Sequence, residues 1–276
     1  MVKEKEQYSL KLIDKALKEH KHPVISSSFG KDSMVMLHLV MKIAGNSIPV
    51  LHINTGVEFP EVIDFRDKFM DKHNLTLYEA PAFPESFWTL TKKYGYPVGQ
   101  RGFEDDPLRP TSKCCYYLKK KPLLRAIYKF NIDLSFIGLR AVESMNRAVL
   151  RKNYGDYYFH SRNKIQHCLP ILDWTDTELW EYIEDEQIEI PSLYYKVIPE
   201  RPRYKIRLGC WACPQGWNSG KGKWLHEFYP DFYDTLMKTG FAEFILSQKL
   251  GTDVPKERAL SLLDERPCMF EEFPAD

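Results

Sequence analysis

The 276-residue chain has no run of about 18 apolar residues, which argues against a bilayer-crossing helix and against a membrane partner. No apolar stretch follows a basic opening, so secretion is not expected and the expected compartment is the cytoplasm. Cysteine is scarce: six residues are too few for a disulfide scaffold and read better as metal or redox chemistry where they pair closely. Excess charge is nearly absent, with 39 Lys+Arg against 38 Asp+Glu and a formal charge of +1. Nucleic acid would therefore have to be held by a local patch, not by a global field. Internal repeats, low-complexity tracts and the G-x-x-x-x-G-K-[ST] loop are also missing, which excludes a solenoid and a Walker A nucleotide site. What is present is a 43% hydrophobic composition, enough for a packed core.

The apolar segments alternate in type. "HPVISSSF" and "SIPVLHIN" read as short buried strands, and "DSMVMLHLVMKIA" between them as a helix apolar on most faces. "EVIDFRDKFMDKH" is amphipathic through Val62, Phe65 and Phe69, and "LTLYEA" reads as a third strand. Residues 81–112 have prolines, glycines and no period, the pattern of a long loop or lid. Helix resumes over "YYLKKKPLLRAIYKF", interrupted or restarted near Pro122, followed by strands at "LSFIGL" and "HCLPILDW". "TDTELWEYIEDE" opens with Thr175 and has Glu178 at capping-box spacing. The pattern predicts an α/β fold with a doubly wound, mostly parallel sheet over residues 1–195. Residues 196–276 are expected as a Cys-x-x-Cys segment with a helical C-terminal region, "WLHEFYPDFYDTLMKTGFAEFILSQKL".

The first strand stops at Ser-Phe-Gly-Lys-Asp-Ser and turns straight into a helix, so several backbone N–H groups and the positive helix end meet at one point. Such a point attracts phosphate: Gly30 lets the backbone approach, Ser28 and Ser33 add hydroxyls and Lys31 adds charge. "INTGVEFPE" ends the second strand beside it, at the edge where doubly wound sheets bind ligands. Arg140 at the end of a further strand suits bidentate phosphate binding.

Cys114-Cys115 and Cys210-Trp-Ala-Cys213 are two close pairs, the second beginning 95 residues after Cys115. Four thiolates suit tetrahedral Zn²⁺ or a [4Fe–4S] cluster, and spacing alone does not choose. Cys168, inside an apolar strand, reads as core. Arg201, Arg203, Lys205, Arg207, Lys221 and Lys223 interleave with Tyr204, Trp211, Trp217 and Trp224. That 201–224 segment suits either a nucleic-acid-facing surface or a solvated loop around the cysteines.

"SSSFGKDSMVMLHLV", "NTGVEFPE", "FIGLRAVESMNRAVL" and "LPILDWTDTELWEYI" occur in the order and spacing of the adenylylsulfate and phosphoadenylylsulfate reductase family. The chain resembles that family, which has the PP-loop adenine-nucleotide α-hydrolase fold, over roughly residues 20 to 215. The resemblance implies a nucleotide site at Ser28, Gly30, Lys31, Asp32, Ser33, Asn54, Thr55, Gly56, Gly138 and Arg140, with Glu143, Ser144 and Arg147 nearby. Asn54 stands where the family usually has aspartate, so a negative charge expected there is missing. The paired cysteines resemble those of cluster-bearing adenylylsulfate reductases, which turns the choice at Cys114, Cys115, Cys210 and Cys213 to [4Fe–4S], with Zn²⁺ as the alternative. The C-terminal Glu-Cys-Gly-Leu/Ile-His motif of the reductases is missing. Cys268 lies among Glu265, Glu271 and Glu272, which disfavour a thiolate.

"GKDS" is closer to ATP-cleaving relatives, among them the ATP pyrophosphatases of DNA phosphorothioation. That likeness implies ATP with Mg²⁺ as substrate, Lys31, Asp32 and Arg140 as the catalytic set, and adenylation of an acceptor, nucleic acid first, for sulfur transfer. A cysteine desulfurase or other sulfur donor is then the expected partner, and a homodimer is compatible with it. The alternatives are an assimilatory sulfonucleotide reductase producing sulfite, and a non-catalytic nucleotide- or cluster-binding partner, which Asn54 would allow.

Overall fold

The computed structural model describes residues 2–96, 113–199, 201–203, 206–214, 217, 220–241 and 244. The chain divides into two compact units, Met1–Pro84 with Tyr117–Ser192, and Glu85–Tyr116 with Leu193–Asp276.

The first unit holds α1 (Val2–Glu19), β1 (Pro23–Ser26), α2 (Lys31–Ala44), β2 (Val50–Asn54), α3 (Pro60–Lys72) and β3 (Leu77–Pro81). The second unit's α4 (Phe87–Tyr94) and α5 (Lys113–Cys115) come next in the chain, then a π-helical turn Tyr116–Lys120. The first unit resumes with α6 (Lys121–Lys129), β4 (Leu134–Ile137), α7 (Met145–Tyr154), β5 (Tyr157–His160), β6 (Ile165–Cys168) and α8 (Asp176–Asp185). Its strands form one sheet in the order β3-β2-β1-β4-β6-β5, parallel throughout except for β5, which pairs antiparallel with β6. The predicted doubly wound, mostly parallel α/β sheet is therefore what the chain forms.

β1 is central, and Val24 and Ile25 of β1 with Leu134 and Phe136 of β4 are fully buried. Each such side chain contributes about 1.5–3 kcal/mol by leaving water. Strands buried on both faces read as unbroken apolar runs, which is why this part of the sheet was legible. α2 buries Met34, Val35, Met36, Leu37, Leu39 and Val40, as a helix apolar on most faces should. α8 begins at Thr175, whose side chain accepts from Glu178 N while Glu178 caps back, the reciprocal pattern its spacing predicted.

Three expectations differ. "HCLPILDW" is strand only to Cys168, because Pro170 cannot donate to a ladder and residues 169–174 turn instead. The helical C-terminal region is, among the described residues, two helices and not a continuous one, α9 (Lys221–Phe228) and α10 (Pro230–Lys238), separated where Pro230 starts a new first turn. Residues 81–112 were expected as a loop, but α4 forms there on a Ser86–Thr89 capping box; residues 97–112 lie outside the described residues.

The segment Glu85–Tyr116, expected in the first domain, clusters with the second unit. The reason is aromatic packing: Trp88 lies 5.8 Å from Trp211, Trp211 stacks on Phe232 at 4.4 Å, and Tyr96 packs on Phe241 at 5.1 Å. The Tyr96 hydroxyl also bonds Thr239 Oγ1 at 2.8 Å.

Candidate nucleotide site

The turn between β1 and α2 is a tight one. Phe29 takes φ 55° while fully buried, an uncommon left-handed conformation for a bulky residue, and its N–H donates to Ser27 Oγ at 3.0 Å. Gly30 is the N-cap of α2, and no side-chain cap bond closes this helix start. Ser33 Oγ donates to Gly30 O at 2.9 Å, and Ser28 Oγ lies 3.5 Å from it.

The charged residues meet at this helix start. Lys31 Nζ donates to both Asp32 oxygens at 3.0 and 2.8 Å. Arg140 Nε donates to Asp32 Oδ1 at 2.5 Å, and Arg140 Nη2 to Asp176 Oδ1 at 2.7 Å. Burial depresses the Lys31 ammonium; burial opposes ionisation of Asp32 too, yet the Lys31 and Arg140 cations outweigh it and hold that carboxyl below its usual range. At 1% exposure Arg140 is no surface arginine. Gly138 is required by close approach: a Cβ there would stand 2.8 Å from Asp32 O and from Ser33 Cα.

The end of β2 is the second wall. Asn54 Nδ2 donates to Glu79 Oε1 at 2.9 Å, and Asn54 Oδ1 accepts from Gly56 N at 2.9 Å, with Gly56 at φ 74°. Thr55 N and Oγ1 both donate to Glu58 Oε1 at 3.0 Å. Glu79 also accepts from Arg66 Nη1. Asn54 thus presents an amide to an existing carboxylate, where aspartate would face it with like charge. Sequence reasoning missed Glu58, Glu79 and Asp176. The first and third sit in legible turn and cap patterns, whereas Glu79 is brought in by β2–β3 register.

Ser144 caps α7 by accepting from Arg147 N, and Arg147 pairs with Glu143. Cys168 is fully buried and its thiol is pushed up by desolvation, as its reading as core requires.

The four paired cysteines fall in one unit: Cys114 and Cys115 on α5, Cys210 and Cys213 in a turn closed by Cys213 N donating to Cys210 O. Lys221 Nζ donates to the carbonyls of both Cys210 and Cys213, at 3.1 and 2.6 Å. Among the described residues, no group of three Cys, His, Asp or Glu is placed to hold a metal ion.

In the basic and aromatic 201–224 segment the tryptophans are core: Trp217 and Trp224 are 2% exposed and Trp211 is buried, with Trp211 stacked on Phe232, Trp217 packed on Tyr233 and Phe241, and Trp224 on Phe228 and Tyr229. Arg201 and Lys221 are buried too, whereas Arg203 and Lys223 are half-buried and Arg207 is exposed. Tyr204, Lys205 and Cys268 lie outside the described residues.

A family model for the phosphoadenosine phosphosulfate reductase domain matches residues 22–216. The chain belongs to that family. The matched span contains β1 through β6 and every residue of the cluster at Lys31, Asp32, Arg140 and Asp176. Sulfate adenylyltransferase subunit 2 of Streptomyces lavendulae is 31% identical over 77% of this chain and 67% of its own. An uncharacterised protein of Methanocaldococcus jannaschii is 30% identical over 76% of this chain and 40% of its own. The chain thus spans two fifths to two thirds of these relatives. Among solved structures, phosphoadenylyl-sulfate reductase from Candida auris, a phosphate complex, aligns with TM-score 0.51 at 19% identity, over 67% of this chain and 82% of that one. That likeness shows a shared fold for this phosphoadenosine phosphosulfate reductase-domain protein. No helix among the described residues is long and apolar enough to cross a membrane.

Proposed function

We propose that this protein binds ATP at the β1–α2 turn and cleaves it between the α and β phosphates, transferring adenylate to an acceptor and releasing pyrophosphate. The observation that carries this reading is the convergence of Lys31, Asp32 and Arg140 on an uncapped helix N-terminus that Gly138 allows β4 to approach. An acceptor oxygen attacks the α phosphorus, the α–β bridging bond breaks, and its electron pair leaves with pyrophosphate. The α2 amides and Lys31 hold the phosphate chain, and the Arg140 guanidinium meets charge as it grows on the leaving group. Mg²⁺ bound to the polyphosphate would offset its charge, while Asp32, whose oxygens accept from Lys31 and Arg140, organises those two cations. Ser28, Ser33, Asn54, Thr55 and Gly56 line the two strand ends.

Relatives named sulfate adenylyltransferase subunit 2 favour a small oxyanion as acceptor. Adenylation of nucleic acid for sulfur transfer, with a desulfurase as donor, is the second acceptor reading; it rests on the GKDS loop, and the buried tryptophans give it no stacking surface. The test is ATP–pyrophosphate exchange with sulfate, DNA, tRNA or no acceptor. Acceptor-dependent exchange, lost in Lys31→Ala, supports the reading. Sulfite formed from a sulfonucleotide with thioredoxin, and no exchange, would replace it with reduction.

The two cysteine pairs, held in one unit, support a shared metal centre by donor chemistry: four thiolates suit a [4Fe–4S] cluster or, alternatively, Zn²⁺.

A further inference from the structure

Arg140 is held at both ends of its guanidinium, and the two holders differ. Asp32 is 18% exposed and takes bonds from Lys31 and Arg140 together, so losing it would cost both buried cations a carboxylate partner. Asp176 is 51% exposed, and its position at the first residue of α8 is fixed by the Thr175–Glu178 capping box, independently of Arg140. Among the described residues, Arg140 Nη1 reaches Trp174 O at 3.4 Å, a poor bond. Two cations and two carboxylates sum to zero, so an anion reaching the α2 turn meets no net side-chain charge until one carboxylate withdraws.

We propose that Asp176 is the displaceable half of a latch on Arg140: a polyphosphate takes its place on the guanidinium edge, and Asp176 swings into water. The inference rests on the nucleotide reading above and adds a source of selectivity. A chain of several phosphates brings enough charge, in bidentate geometry, to displace a half-exposed carboxylate. A single weakly charged oxyanion does not. Asp176 acts through Arg140 and is therefore a positioning residue, one that sets which anions open the site.

The test uses the full chain as wild type, Asp176→Asn and Asp176→Glu, titrated calorimetrically with inorganic pyrophosphate, inorganic phosphate and Mg·ATP. In parallel, Arg140 is labelled with phenylglyoxal and read by peptide mass spectrometry. Asp176→Asn should bind pyrophosphate about fivefold more tightly, gain still more for phosphate, and label faster at Arg140, whereas Asp176→Glu should stay near wild type. Equal or weaker pyrophosphate binding by Asp176→Asn beside a wild type that binds would overturn the latch. If wild type binds neither ATP nor pyrophosphate, the nucleotide reading fails. The labelling then decides the latch separately, and an unchanged Arg140 rate removes it too.

Discussion

At the scale of single residues, the site depends on spacing that only particular side chains tolerate. Gly138 faces the backbone of Asp32 and Ser33, which cannot move aside like a flexible side chain. Gly138→Ala should therefore lower stability by about 1–3 kcal/mol and weaken nucleotide binding together, measured by urea denaturation and calorimetry. Asn54 is the other such position. It donates to Glu79, and that bond is the first reason the Glu79 carboxyl sits below its usual range. Asn54→Asp should cost about 0.5–1 kcal/mol at neutral pH, recovered on acidification as the facing carboxylates protonate; adding Glu79→Gln should remove most of that cost. The departure from the family's aspartate was visible in the sequence. Its reason was not, because Glu79 lies 25 residues away and meets Asn54 only through strand pairing.

Among the elements, those with a strong local signal were legible and those without one were not. α8 announced itself by Thr175 and Glu178, and Thr175→Ala should cost about 1 kcal/mol, read as a lower thermal midpoint. Burial disfavours the Glu178 charge, but bonds from Lys5 and Thr175 outweigh it and hold the carboxyl low. This contribution is present at neutral pH and is lost as pH falls through the depressed value.

β5 gave no such signal, being a short, partly exposed edge strand of four residues. It nonetheless brings His160 to within 4.7 Å of His167 on β6. Burial first, then His160, pushes the His167 imidazole down to about 4. The unfolded imidazole takes its proton near pH 6.5, so the folded state loses stability as pH falls from there to about 4, by roughly 3 kcal/mol in all, with no further loss below. Urea midpoints followed across that range should decline in wild type and decline less in His167→Asn.

For the whole molecule, the decisive fact is that residues 85–116 belong with the C-terminal segment, which puts Cys114 and Cys115 in one unit with Cys210 and Cys213. Iron, acid-labile sulfide and zinc determined on anaerobically purified protein will show whether that unit closes on a metal. A shared centre should yield about four iron and four sulfide, or one zinc, per chain, each lost in Cys210→Ser; stoichiometric amounts of neither would remove it. The sequence by itself determined the alternation of buried strands and helices, the strand-to-helix turn at Gly30 and the capping box that opens α8, because each is written in neighbouring residues. Only the tertiary structure decided that Arg140 is clasped by Asp32 and Asp176, that Glu79 stands against Asn54 and that the tryptophans are core, because those depend on sheet order and packing between residues far apart in the chain.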